Sequence, residues 1–117
     1  MPSAAHSAAF FTEARNGGLV FGVQDEDGLP APQDGDGVRA MPFWSRLSRA
    51  EKIVASVPAY TQMKPVEIAL DEFINRWLPG LERDGLLVGL NWSGARATGY
   101  DLTPSEVLAR LTFTGVP

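Results

Sequence analysis

The chain has 117 residues, 44% of them apolar and 9% aromatic, which is enough for one hydrophobic core that needs neither a disulfide nor a metal. It contains no cysteine, which excludes a disulfide framework, a thiolate nucleophile and a thiolate metal site, and agrees with a reducing cytoplasm. Ten Lys and Arg against fourteen Asp and Glu give a net charge of −4, and the scattered basic residues argue against a nucleic-acid partner.

Four segments in the first third of the chain have clear local patterns. Residues 4–15 are rich in alanine and carry a narrow apolar stripe, which predicts a helix. Residues 19–23 alternate between large and small side chains and predict a strand, and the acidic residues 25–28 after them are typical of a turn. Two prolines and two glycines in residues 29–37 leave two interpretations open, a short edge strand or a mobile loop.

A second helix is predicted in the middle of the chain. Residues 38–43 before it have the pattern of an extended segment. The helix begins at Ser45 or Ser48, and Ser48 with Glu51 three residues later has the spacing of a capping box. Pro58 ends this helix.

The densest apolar pattern lies in residues 66–92 and reads as a strand, a helix broken by a proline, and a second strand. Residues 66–70 alternate apolar and other side chains, as expected of a strand with one apolar face. Apolar residues then recur at helical spacing, and Pro79 predicts a kink or a fresh helical turn within that helix. The unbroken apolar run 86–90 is typical of a strand covered on both faces.

The C-terminal part predicts a strand pair and a helix. A turn at Ser93 and Gly94 allows residues 97–100 to form a strand against residues 86–90. Thr103, with Pro104 after it and Glu106 able to bond back, is the clearest helix start in the chain.

These elements predict an α+β fold, with a mixed or antiparallel sheet of four to five strands packed with three to four helices. The length predicts a single domain over residues 1–117 with its core in about 5–111.

Five short motifs occur in a fixed order along the chain. They are the DEDG turn at 25–28, MPFWS at 41–45, LDEF at 70–73, LPGL at 78–81 and DGLLVG at 84–89. Together they resemble a bacterial family, domain of unknown function 2750, over roughly residues 5–111. This resemblance implies no activity and no catalytic residue. A looser pattern is similar to the amino-terminal domain of SseB-like proteins and implies an interaction domain rather than an enzyme.

Two groups of polar residues were weighed as reactive or metal sites. His6 is the only histidine, so a serine hydrolase relay or a histidine metal site would need it, but its place near the start of a helix favours a solvent-exposed residue. The acidic residues of the first loops have oxygen ligands suited to calcium, but no acidic residue closes the site, which favours solvated turns. These residues are Asp25, Glu26, Asp27, Asp34 and Asp36.

A second acidic group surrounds the central helix. Paired carboxylates can act as acid and base, but helix starts and wet helix faces are ordinary places for acidic residues, so catalysis is the less favoured interpretation. The group consists of Glu67, Asp71, Glu72, Glu82 and Asp84.

The last candidate is an aromatic surface at one end of the sheet. Trp, Tyr and Arg are frequent anchors of protein partners, and these types occur near the ends of two predicted strands. The competing interpretation places Trp44 and Trp77 in the core and leaves only Trp92 partly exposed. The predicted interaction surface consists of Trp44, Asn91, Trp92, Ser93, Arg96 and Tyr100.

The sequence therefore predicts a non-catalytic cytoplasmic module that binds a protein partner, with no catalytic, cofactor-binding or metal-ligating residue. It has neither a secretory leader pattern nor a membrane-length apolar stretch, so no membrane partner is expected. The alternative is a small ligand-binding domain or enzyme with a carboxylate-lined aromatic pocket. The two differ in shape, because a ligand pocket is deep and a protein-binding patch is flat or convex.

Overall fold

A computed structural model of the protein describes residues 2–33, 36–94 and 97–112. In chain order these form α1 (Pro2–Gly17), β1 (Leu19–Gln24), β2 (Ala40–Phe43), α2 (Leu47–Ser56), a 3₁₀ turn (Pro58–Tyr60), β3 (Lys64–Ala69), α3 (Leu70–Glu72), a π-helical turn (Phe73–Trp77), α4 (Leu78–Arg83), β4 (Leu87–Ser93), β5 (Thr98–Leu102) and α5 (Pro104–Thr112). The segment from α3 through α4 is uninterrupted and is called the central helix below. The predicted α+β fold class is confirmed.

The strands form two small sheets that meet at one point. β1 pairs antiparallel with β3, while β4 lies between a parallel partner, β2, and an antiparallel partner, β5. Phe21 of β1 and Trp44, just after β2, exchange two backbone hydrogen bonds of 2.7 Å each, which join the two sheets. The predicted pairing between β4 and the strand that follows it is confirmed.

Helices cover the strands on both faces and create two cores. The first core lies between the strands and α1, the central helix and α5, and contains Phe43 stacked edge-on against Phe73 at a centroid distance of 4.9 Å. The second core lies between the strands and α2, and includes Trp44 and Ile53. Val88 and Leu90 face the first core, as expected for a strand with alternating side chains.

The two predicted capping boxes have different outcomes. At the start of α5, Glu106 N donates to Thr103 Oγ1 at 3.1 Å and Thr103 N donates to Glu106 Oε1 at 2.9 Å, so that prediction is confirmed. The prediction for α2 is wrong, because the helix begins at Leu47 and its N-cap, Arg46, makes no side-chain cap bond. Ser48 therefore lies inside the first turn, too late to serve as the cap.

The central helix passes Pro79 without a break. In the π-helical turn before the proline, the N–H of Leu78 donates to the carbonyl of Phe73, five residues back. Because Pro79 has no N–H to continue an α-helical ladder, a local change of hydrogen-bond spacing accommodates it. The fresh helical turn predicted at this proline takes the form of a π turn followed by α4.

The acidic residues at 25–28 form the predicted turn. Asp25 and Gly28 make a β-bridge, and the Asp25 carboxylate accepts a 2.8 Å hydrogen bond from the N–H of Asp27. In the described part of the 29–37 segment, the only pairing is a single bridge from Gln33 to Arg39, so no edge strand forms there. No described helix combines the length and apolarity needed to span a bilayer.

Gly89 offers a direct test of how β4 packs. A Cβ added at Gly89 would overlap the indole ring of Trp92, so we expect Gly89→Ala to lower the free energy of unfolding by about 1–3 kcal/mol. Gly80→Ala is the control, because its nearest neighbour there is the end of the flexible Arg83 side chain at 3.5 Å and alanine favours a helix. Urea unfolding of both variants measures the difference, and an unchanged midpoint for Gly89→Ala would contradict this packing.

Candidate functional site

The end of β4 contains a β-bulge centred on Asn91. Asn91 has a φ of +51°, a left-handed conformation that non-glycine residues seldom adopt, and the pairing with β5 shifts register between Leu90 and Ser93. Without this shift, Trp92 would face the same side as Leu90. The bulge instead turns Trp92 into the second core, beside α2.

Buried hydrogen bonds hold the Asn91 side chain. The residue is 1% exposed, its Oδ1 accepts from the N–H of Ser45 at 3.0 Å, and its Nδ2 donates to the carbonyl of His6 at 2.9 Å and to Ser45 Oγ at 2.9 Å. These bonds join α1, the segment before α2 and the end of β4. A buried amide with all of these partners stabilises one arrangement of three chain segments.

Glu13 of α1 extends this network to α2. Its carboxylate accepts from Ser45 Oγ at 2.6 Å and from Nε and Nη2 of Arg49 at 3.0 Å each, and it forms a 3.2 Å ion pair with Arg46. The hydrogen bond from Arg49, helped by that of Ser45 and by the charges of both arginines, lowers the pKa of Glu13 below its usual value and outweighs the opposing effect of burial. The carboxylate is therefore held in its charged form.

Trp92 lies flat over the glycines of β4 and β5. Its ring occupies the space that side chains at Gly89 and Gly99 would fill, and its Nε1 donates to Asp101 Oδ1 at 2.9 Å. Its backbone carbonyl accepts a 2.9 Å bond from Nε1 of Trp44. Both tryptophans thus have their polar N–H groups satisfied within the structure.

A cavity of about 400 Å³ opens between α2 and the bulge, and we call it the α2 cavity. Its polar lining comes from one face of α2, from the end of β4 and from α1: Arg49, Lys52, Ser56, Ser93, Gly94 and His6. The α2 residues are three and four positions apart, which places them on one side of the helix. The volume falls within the range of natural ligand pockets.

His6 is not the exposed helical residue that the sequence predicts. It is half-buried, and its Nδ1 lies 3.1 Å from Ser93 Oγ at the wall of the α2 cavity. The prediction fails because the β4 bulge brings a polar turn against the start of α1. A serine hydrolase relay also needs a carboxylate that orients the imidazole, and none of the described residues hydrogen-bonds the ring from a carboxylate.

The structure separates the residues of the predicted interaction surface. Trp44 is 0% exposed and Trp92 8%, so both belong to the interior. Tyr100 is 48% exposed, but it pairs with Leu90 and projects from the opposite face of the sheet to Trp92. The predicted convergence of these aromatic side chains is therefore wrong.

Three members of that predicted surface still lie together. Asn91, Trp92 and Ser93 all line the α2 cavity, although Asn91 is buried among its partners. Arg96 lies outside the described residues. The sequence offers one signal for this site, a polar asparagine at the end of an otherwise apolar strand, but it does not reveal Glu13, Arg49 or Lys52.

The acidic residues near the central helix divide into two groups. Glu67, Glu72 and Asp84 line a groove of about 520 Å³ together with Trp77, whereas Asp71 and Glu82 do not line it. Among the described residues no group of three or more His, Asp or Glu is placed to hold a metal ion. Of the acidic residues considered for calcium, Asp34 lies outside the described residues.

A family model covers nearly the whole chain. Residues 7–111 match the family described as "Protein of unknown function (DUF2750)". The chain belongs to this family. The family resemblance stated from the sequence is thereby confirmed. No curated protein and no solved structure matches the chain.

The Glu13 network predicts a specific pH dependence of stability. Because its pKa in the folded state lies below the ordinary value of 4.5, Glu13 stabilises the fold above about pH 4.5, and this contribution is lost as the pH falls through and below that value. We expect Glu13→Gln to lower the free energy of unfolding by about 1–3 kcal/mol at pH 7 and to have a smaller effect at pH 3. Urea unfolding between pH 3 and 7 measures both.

Glu51→Gln is the matched control, since Glu51 is an exposed glutamate on α2. Glu106, whose pKa is lowered by its hydrogen bonds to Thr103, is retained in both variants and contributes equally. If Glu13→Gln and Glu51→Gln gave the same dependence of stability on pH, the Glu13 network would not have the role described here.

Proposed function

We propose that this protein is a non-catalytic cytoplasmic interaction module that binds a protein partner at the α2 cavity. The observation that carries the proposal is the construction of this cavity on a left-handed bulge. Backbone strain of this kind costs about 1–3 kcal/mol and persists where surrounding structure enforces it, often at functional sites. Here a buried asparagine and a charged network maintain it.

The polar groups at the cavity support binding more than chemistry. Arg49 is fixed by two hydrogen bonds to Glu13, and Ser93 is fixed beside His6. Such groups are already oriented before a partner arrives, so binding loses less side-chain entropy. A cavity that accepts one anchoring side chain, within a wider polar rim, is a common form of protein recognition site.

Filling the cavity tests this proposal. Ser56 is exposed on α2 and lines the cavity, so Ser56→Tyr should block it without disturbing either core. Ser48→Tyr is the matched control on the same helix, since Ser48 is exposed and does not line the cavity. We expect affinity purification from host lysate, quantified by mass spectrometry, to recover a stoichiometric partner with wild type and Ser48→Tyr but not with Ser56→Tyr.

Two results would count against the proposal. A partner retained by Ser56→Tyr would place the interface elsewhere. Recovery of no stoichiometric partner with wild type, under conditions in which the protein remains folded, would contradict an interaction module.

Ligand binding at the groove beside the central helix is the second candidate function. Glu67 and Asp84 place carboxylates beside the half-buried ring of Trp77, which suits an organic cation. The groove also lies along the π-helical turn, a feature frequent at functional sites.

A cation that binds this groove should raise the melting temperature of the wild-type protein. Glu67 is exposed on β3, so Glu67→Gln should remove one attractive charge with little effect on the fold and reduce that rise. Thermal-shift screening with small organic amines measures both, and Glu51→Gln serves as a charge-matched control away from the groove. Equal rises in all three proteins, or none in wild type, would reject the groove as a cation site.

A further inference from the structure

We infer that the α2 cavity recognises an oxyanion, a carboxylate or phosphate group carried by a segment of a partner protein. This inference rests on the proposed function and adds the chemistry of the group that enters the cavity. It depends on the local charge, on the hydrogen-bond donors of α2 and on the apolar wall beside them.

The charge of the cavity is opposite to that of the chain as a whole. The net charge of the protein is −4, yet the cavity is lined by Arg49, Lys52 and His6, and no acidic side chain is among the described residues that line it. Glu13 lines a neighbouring depression instead. An anion in the α2 cavity therefore meets positive charge at short range, where attraction is strongest.

Arg49 retains donors for a ligand although it is paired. A guanidinium has five N–H groups, and Glu13 uses one on Nε and one on Nη2. Glu13 is also shared with Arg46, so these three residues together carry one net positive charge. The fixed guanidinium is thus pre-oriented at the cavity wall, and the fork of donors on arginine matches carboxylate and phosphate oxygens.

Lys52 adds a second and mobile positive charge. It is exposed at the cavity and forms no ion pair with a described residue. Its place one turn from Arg49 on α2 lets both side chains approach one anion. Ser56 and Ser93 add hydroxyl groups that can donate hydrogen bonds to the same oxygens.

The cavity also has room for more than the anionic group. Ile53 and Trp92 form part of its wall, and its volume of about 400 Å³ exceeds that of a single carboxylate or phosphate. The methylene carbons of a glutamate, or the stem of a phosphorylated side chain, can lie against this apolar wall. The arrangement is suited to an anion attached to an organic chain.

Nuclear magnetic resonance titration of the full chain tests the inference with defined probes. The probes are inorganic phosphate, blocked tri-glutamate, and a blocked peptide with one phosphoserine in place of the central glutamate. We expect saturable changes in the amide signals of Lys52, Ser56, Ser93 and Gly94 with at least one peptide, and weaker binding at higher salt. Binding of the phosphoserine peptide alone identifies a phosphate group, and binding of both peptides identifies a carboxylate-type site.

Lysine variants provide the matched comparison. Lys52→Glu reverses the charge at the cavity and should weaken binding by about fivefold or more. Lys64→Glu makes the same change at an exposed residue of β3 that does not line the cavity, and should leave affinity within about twofold. Loss of affinity to the same extent in both variants, or the absence of saturable changes with every probe, would overturn the inference.

Failure of the inference and failure of the proposed function give different results. If no probe binds while Ser56→Tyr still loses the captured partner, the cavity is an interface of a different chemistry. If the anion binds while Ser56→Tyr retains the partner, the oxyanion site exists and the interaction module is placed wrongly.

Discussion

The left-handed backbone at Asn91 determines how the last part of the fold is arranged. A strand with simple alternation would place residue 92 with Val88 and Leu90 in the first core. The bulge turns Trp92 to the other face, where α2 covers it. A residue with this backbone is strained, so the arrangement needs support from outside β4. The Asn91 amide supplies that support through bonds to Ser45 and His6.

The glycines of β4 and β5 follow from the same constraint. Once Trp92 faces α2, its ring lies where the side chains of positions 89 and 99 would project. Glycine at a strand interior ordinarily weakens a strand, so its use here indicates a close approach between ring and backbone. The hydrogen bond from the indole to Asp101 then fixes the ring across both strands. Packing and the bulge therefore depend on each other.

Local patterns in the sequence were sufficient for much of the fold. Alternation predicted β1, β3 and β4, and the Thr103 capping box appears as expected because its partners are only three residues apart. The same reasoning failed for α2, where Ser48 has the right spacing but lies within the helix. Spacing alone cannot decide which of several nearby residues becomes the cap.

The candidate site was largely outside the reach of sequence reasoning for a physical reason. His6 and Ser93 are 87 residues apart, and Glu13 and Arg49 are 36 apart, so only the folded chain brings each pair together. Glu13 and Arg49 have no unusual sequence context, since charged residues on helices are ordinary. The asparagine at the end of β4 was the one local signal, and it marks the turn rather than the residues that α2 contributes.

The same ionic network that supports the bulge also shapes the charge of the cavity. Glu13 neutralises part of the positive charge of Arg46 and Arg49, which reduces the cost of holding two cations close together. It also fixes the Arg49 guanidinium while leaving donors unused. Removal of this carboxylate would leave more positive charge but a less ordered arginine. Stability of the bulge and orientation of the cavity donors are thus coupled through one side chain of α1.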